Sequence, residues 1–236
     1  MNIDNRHYYY WIIPTIIGGI LVAMHFYGTS WMQTFVSPKT HRELGAPENI
    51  QNLIILATLI LGLIGAKRKV WKIEKIAFYL VAAGSLFLLL EETDYGRHLY
   101  KYFIDPSFKW GFWNVHFMEE GLLNKVLLVV IYTMLPLFFC FLPFYAKKSK
   151  NLWVKYLSPA PHSMGTVLGM VLVSQISQYL NNLESFYEFS QQSTMIMSEF
   201  GEGFIHLLFF LYFYEIVYNR ITPDYSAFEK KFPRLA

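Results

Sequence analysis

Residues 53–94 read LIILATLILGLIGAKRKVWKIEKIAFYLVAAGSLFLLLEETD, and this stretch decides the fold class. Two long apolar runs flank the basic cluster Lys67-Arg68-Lys69, and acidic residues follow the second run. A helix that crosses a bilayer needs about 20 mainly apolar residues. Lys and Arg concentrate in the short loops on the cytoplasmic side of membrane proteins. The stretch therefore predicts two antiparallel transmembrane helices that are joined by a cytoplasmic turn.

The rest of the chain repeats this apolar pattern. Hydrophobic residues make up 54% of the 236 residues and charged residues only 16%, whereas soluble domains carry roughly 25% charged residues. We therefore expect an all-α, polytopic integral membrane protein that forms a single domain over residues 1–236. Six transmembrane helices are predicted, at residues 9–28, 49–66, 73–94, 125–146, 163–180 and 198–218. Residues 104–121 mix apolar, aromatic and charged positions, which is typical of an interfacial segment.

The basic residues predict the orientation of the chain. They concentrate in the second loop, the fourth loop and the C-terminal tail, as Lys67, Arg68, Lys69, Lys147, Lys148, Lys150, Lys155, Arg220, Lys230, Lys231 and Arg234. The fifth loop, at 181–197, contains neither Lys nor Arg. The N- and C-termini are therefore both predicted to be cytoplasmic, in a multi-pass protein of a bacterial-type inner membrane.

The partners follow from the same distribution of charge. The lipid bilayer is the expected environment, and a second membrane protein or a second copy of the chain stays open as a partner. The net charge is only +3, and the basic residues lie where membrane topology places them, so we expect no nucleic-acid binding.

Two predicted spans carry similar polar sets. The third span ends EETDYGRH at 91–98, and the sixth begins EFGEGFIH at 199–206, so both read acid-x-x-acid-x-x-x-His. Positions i, i+3 and i+7 share one face of a helix. Because the two spans run in opposite directions, both sets are predicted at the outer membrane boundary, where the third loop adds a further histidine. The candidate metal ligands are Asp94, His98, His116, Glu199, Glu202 and His206.

Carboxylate and imidazole groups together are ligands for Zn, Fe, Mn or Cu. Glu91 and Glu202 are also candidate catalytic residues, since a carboxyl group at the membrane boundary can act as a general acid or base. The sequence thus predicts an outward-facing carboxylate/histidine site that binds a divalent transition metal. Its location implies a lipid or another hydrophobic substrate. No motif identifies a reaction, so whether the chain is an enzyme stays open.

Other functions fit the same residues. An ion or solute transporter, or a channel, would use them as a polar outer vestibule, and a non-catalytic subunit of a membrane complex would need no site. Helix-end roles are a further alternative, with Ser198 as an N-cap and Glu199 and Glu202 as first-turn acids. Glu215 is predicted to pair with Arg220 outside the site, so its replacement by glutamine is expected to be nearly silent.

Proline and glycine residues predict details of helix packing. Pro136 and Pro143 indicate a kink in the fourth span, which neighbouring helices can tolerate. Gly18-Gly19 in the first span and Gly165-x-x-x-Gly169 in the fifth are typical of closely packed membrane helices.

The pattern Glu91-Glu92-x-x-x-Gly96-x-His98, followed by Asn114-x-His116, resembles a group of bacterial poly-spanning proteins of unassigned function. Their corresponding span ends in E-E-x-x-x-G-[QR], and the resemblance implies a membrane fold without implying an activity. Asp94-x-x-x-His98 with the later His116 also looks like the Asp/His/His metal pattern in the C subunit of copper membrane monooxygenases. The second gap is longer here, and this resemblance implies only that a metal is a candidate ligand.

Overall fold

A computed structural model describes residues 6, 8–36, 45–93, 133–167 and 188–223, with backbone only at residues 22, 25, 26 and 188–200. The described residues form helices with short connections and contain no strand, which confirms the all-α prediction for this part of the chain. The helices are α1 (Ile13–Tyr27), α2 (Ser30–Val36), α3 (Ala46–Arg68), α4 (Lys72–Glu92), α5 (Leu142–Lys148), α6 (Leu152–Leu157) and α7 (Glu188–Tyr214). Three π-helical segments adjoin α1, α5 and α7, at Tyr8–Ile12, Leu137–Phe141 and Glu215–Asn219.

Helices α3 and α4 form a hairpin whose close approach depends on two glycines. A Cβ atom on Gly62 would lie 2.9 Å from the backbone nitrogen of Ala82, and one on Gly65 would overlap the ring of Phe78. Small residues let membrane helices pack backbone to backbone. The hairpin is therefore held together at positions that the sequence analysis did not single out.

Within the described residues, α3 and α4 are the helices that are long and apolar enough to cross a membrane, and the most apolar 18-residue stretch of each has a mean hydropathy of 1.8. They coincide with the predicted spans 49–66 and 73–94. A shorter apolar helical stretch, Tyr8–Leu21, overlaps the predicted span 9–28. The predicted interfacial segment 104–121 lies outside the described residues. The same holds for most of the predicted span 163–180 and for the first part of span 125–146.

Helix α7 begins earlier than the sequence predicts. It starts at Glu188 rather than at 198, so the prediction of a loop up to 197 is wrong from Glu188 onward. Residues 188–197 read EFSQQSTMIM and contain neither Gly nor Pro, the two residues that most disfavour a helix interior. The helix then packs along α3.

The segment after α6 compensates for a proline in α1. Pro14 has no N–H to donate to the carbonyl of Tyr10, four residues earlier. The hydroxyl of Thr166 donates to that carbonyl oxygen at 3.1 Å. A π-helical turn, Tyr8–Ile12, directly precedes α1. The side chain of Thr166 therefore supplies the hydrogen bond that the helix itself lacks.

The same segment compensates for a second proline. Pro143 has no N–H for the carbonyl of Phe139, and the hydroxyl of Ser163 lies 3.1 Å from that oxygen. This hydroxyl also lies 2.6 Å from the carbonyl oxygen of Ala160, so one O–H is shared between two acceptors. The π-helical segment Leu137–Phe141 lies between the two prolines of the predicted kink, and such segments are a known source of bending.

The close packing predicted at glycines is confirmed at Gly165 and wrong at Gly18 and Gly19 for the described part of the chain. A Cβ atom on Gly165 would overlap the indole ring of Trp11, so the close approach predicted there is confirmed. The Trp11 indole N–H also donates to the carbonyl of His162 at 3.1 Å. Gly169 lies outside the described residues. Cβ atoms on Gly18 and Gly19 would meet no described atom within 4 Å, so the predicted close packing at these two positions is wrong for the described part of the chain.

Candidate functional site

Half of the predicted metal ligands fall outside the described residues. Asp94, His98 and His116 lie in undescribed segments, and Glu199 is described by its backbone within α7 only. Among the described side chains, no group of three or more His, Cys, Asp or Glu residues is arranged to hold a metal ion. Since these four candidates are not in that set, the predicted ligand set stays a prediction.

The described members of the outer set differ in burial. Glu91 is only 5% exposed, whereas Glu202 is exposed and His206 is half-buried. The helix-cap interpretation of Ser198 is wrong, because α7 begins at Glu188 and Ser198 lies well inside it. Glu199 and Glu202 therefore do not belong to the first turn, where free backbone N–H groups would stabilise them.

One aromatic contact joins the C-terminal part of α7 to α4, although α7 packs mainly along α3. The Phe78 and Phe213 rings pack edge to face with their centroids 6.2 Å apart. Residues 202, 206, 209 and 213 follow one another at spacings of four, three and four, which is one stripe of a helix. Glu202 and His206 therefore lie on the same stripe of α7 as Phe209 and Phe213, whose rings contact Phe139 and Phe78.

The same contact sets the level of each residue along the helix pair. His206 lies seven residues from Phe213, and Ser85 lies seven residues from Phe78 in the antiparallel partner, so both are about 10 Å from the contact. Glu199 lies fourteen residues from Phe213, and Glu92 lies fourteen residues from Phe78. Glu92, which is not among the predicted site residues, is thus as many residues from the contact as Glu199 and shares the stripe of Phe78. Glu91 is one position, or about 100°, further around α4.

The opposite end of the helices contains a charged network that the sequence analysis missed. Glu215 is 1% exposed. Its Oε2 atom lies 2.7 Å from Nη2 of Arg220, and its Oε1 atom lies 3.4 Å from Nε of Arg6. The hydroxyl of Tyr10 donates to the same Oε1 at 3.3 Å. The predicted Glu215–Arg220 pair is confirmed, but a carboxylate buried among three partners is not expected to be silent on replacement.

A second buried network lies beside the first. Nζ of Lys69 donates to the hydroxyl of Tyr156 and to the carbonyl of Ile216, both at 2.8 Å. The Tyr156 hydroxyl in turn donates to Oε1 of Glu74 at 2.6 Å, and Thr222 Oγ1 lies 3.2 Å from the same oxygen. Burial lowers the pKa of Lys69 below its usual 10.5, and the nearby Glu74 carboxylate opposes this shift.

The two networks are joined through α6. The guanidinium group of Arg220 donates to the carbonyls of Tyr156 and Ser158. The contacts therefore bring together Arg6 near the N-terminus, the α3–α4 turn, the α5–α6 segment and the residues that follow α7. These are the segments that the distribution of basic residues predicts to lie on one side of the membrane.

Comparison of the chain with protein-family models, curated protein sequences and solved structures finds no match. Functional inference therefore rests on the residues and contacts described above.

Proposed function

We propose that the chain is a six-span helical membrane protein, with both termini in the cytoplasm, whose outer end carries a carboxylate/histidine site for a transition metal. Zn, Fe, Mn and Cu all accept such ligands. The location suits a lipid or another hydrophobic substrate that enters from the outer leaflet. Glu202 and Glu91 are the proposed acid–base groups.

Exposed apolar surface supports the membrane assignment. Only 22% of the most apolar window of α4, and 39% of that of α3, is buried within the described structure. Large side chains such as Leu53, Ile60, Leu80 and Phe87 are 48–67% exposed. Water would disfavour such a surface, whereas lipid chains would solvate it.

The contact between Phe78 and Phe213 carries the proposal for the site. It joins the stripe of α7 that carries Glu202 and His206 to the stripe of α4 that carries Ser85 and Glu92, which supports a site between these residues. An ionisable residue inside a span is energetically costly and usually has a function. His206 lies on the membrane side of the acidic residues, where a role as a simple helix cap is ruled out by the helix start at Glu188.

Metal analysis of the purified full-length protein tests this proposal. We expect about one equivalent of a transition metal, and we expect His206→Ala and Glu202→Gln to lose it while the protein still inserts and purifies. His162→Ala is the matched control, because His162 lies at the opposite end of the helices, beside Trp11. Metal content that is unchanged in both site variants, or equally reduced in the control, would contradict the metal site.

A further inference from the structure

A cleft of about 720 Å³ opens at the end of the molecule that carries the two charged networks. Three separate parts of the chain line it: the N-terminal segment, the α5–α6 region and the residues after α7. Its charged and hydroxyl-bearing lining residues are Arg6, Lys147, Lys155, Tyr156, Ser158, Arg220 and Thr222. Ligand pockets typically enclose roughly 300–1,000 Å³, so the cleft is large enough for a small ligand.

The cleft carries an excess of positive charge. Among the described residues, four cations line it, at Arg6, Lys147, Lys155 and Arg220, and Glu215 is the carboxylate paired with two of them. These four positive charges and one negative charge leave a formal charge of +3. Lys69 and Glu74, just behind the lining residue Tyr156, cancel each other. A concave surface with low-dielectric walls concentrates such a field and attracts anions.

Part of this charge is held in a fixed position. Arg220 donates to the carbonyls of Tyr156 and Ser158 and to Glu215, which uses three of its five N–H donors among the described residues. Two donors therefore remain on a guanidinium group that is already oriented. Four prolines, which restrict backbone motion, also line the cleft, at Pro143, Pro159, Pro161 and Pro223.

We propose that this cleft binds a phosphate group from the cytoplasmic side. The fixed Arg220 supplies directional donors, and Lys147 and Lys155 supply mobile point charges, a combination that suits phosphate oxygens. The phosphate belongs either to the headgroup of an anionic phospholipid or to a soluble phosphate compound, since both present the same chemistry to the cleft. This site is separate from the proposed outer metal site and does not depend on it.

Binding to the full-length protein in an uncharged detergent or in nanodiscs tests the proposal. One arm titrates inorganic phosphate, and the other compares nanodiscs of phosphatidylcholine with nanodiscs that also contain phosphatidic acid. We expect Lys147→Gln/Lys155→Gln to weaken binding about tenfold, since each exposed ion pair contributes up to about 1 kcal/mol. Lys148→Gln/Lys150→Gln is the matched control, because it removes the same charge from the same loop at residues outside the cleft lining.

Selective loss in the first variant supports the proposal, and the arm in which it occurs identifies the source of the phosphate. Equal losses in both variants would show that the loop attracts anions by its net charge alone, which would overturn the cleft as a site. Wild-type protein that binds in neither arm would overturn it as well. Lys147 and Lys155 are exposed, so both variants are expected to fold.

Discussion

Carboxylates at the two ends of α7 and its π-helical extension differ in burial. At the end predicted to be cytoplasmic, Glu215 and Glu74 are buried, and each is surrounded by donors from distant segments. At the opposite end, Glu202 of α7 is exposed, whereas Glu91 of α4 is only 5% exposed. The difference teaches that the position of a carboxylate along a span does not determine its burial. Its burial depends on whether other segments of the chain pack over it.

The largest expected effect separates the two ends through one matched pair of substitutions. Glu215→Gln should lower the free energy of unfolding by about 3 kcal/mol or more, because Arg220 and Arg6 would remain buried or half-buried without their counter-charge. Glu202→Gln, measured with a chelator present to remove any bound metal, should change it by no more than about 1 kcal/mol, because the interactions of an exposed carboxylate are screened by solvent. Unfolding of both variants in the same detergent provides the measurement. Similar values for the two would remove the distinction between the ends.

The second network should behave as a coupled unit. Lys69→Met should cost about 3 kcal/mol, since the buried Glu74 carboxylate would lose its nearby cation. Combining it with Glu74→Leu should recover part of this loss, with a coupling energy of about 1–3 kcal/mol in a double-mutant cycle. If the two losses of unfolding free energy were strictly additive, Lys69 and Glu74 would stabilise the fold independently, each through its own hydrogen bonds to Tyr156 or Ile216.

The smallest effects concern packing in the same half of the molecule. Gly165→Ala should destabilise the protein by about 2 kcal/mol, because the new methyl group would displace the Trp11 ring. The new methyl group of Gly18→Ala would have no atom within 4 Å. Since alanine favours a helix more than glycine does, this change should leave the free energy of unfolding unchanged or raise it by up to about 1 kcal/mol. Melting temperatures of the two variants test this order, and a reversed order would contradict the described packing around Trp11.

Features that local sequence carries could be predicted. Helices α3 and α4 follow from two apolar runs on either side of a basic turn. The distribution of Lys and Arg predicts that the basic segments meet at one end. This prediction needs only the number of basic residues in each loop, and no contact between loops. The start of α7 was missed, because polar residues in 188–197 suggested a loop while no helix-breaking residue was present.

Features that depend on distant contacts could not be predicted. The burial of Glu215 depends on Tyr10, which is 205 residues away in the sequence. The cleft likewise needs three segments that no local pattern links. At the outer end, helix periodicity placed Glu202 and His206 on one stripe. Only the contact between Phe78 and Phe213 adds Glu92 of α4 to the candidates.

The hydroxyl groups that complete the proline-containing helices have a consequence for biogenesis. A ribosome makes Pro14 and Pro143 before it makes Ser163 and Thr166, so under the proposed topology the carbonyls of Tyr10 and Phe139 would reach the bilayer before their donors exist. An unpaired carbonyl in lipid is costly, and water or the insertion machinery must serve it in the interval. Under that topology, the synthesis of residues 163–166 would give both carbonyls their permanent hydrogen-bond donors.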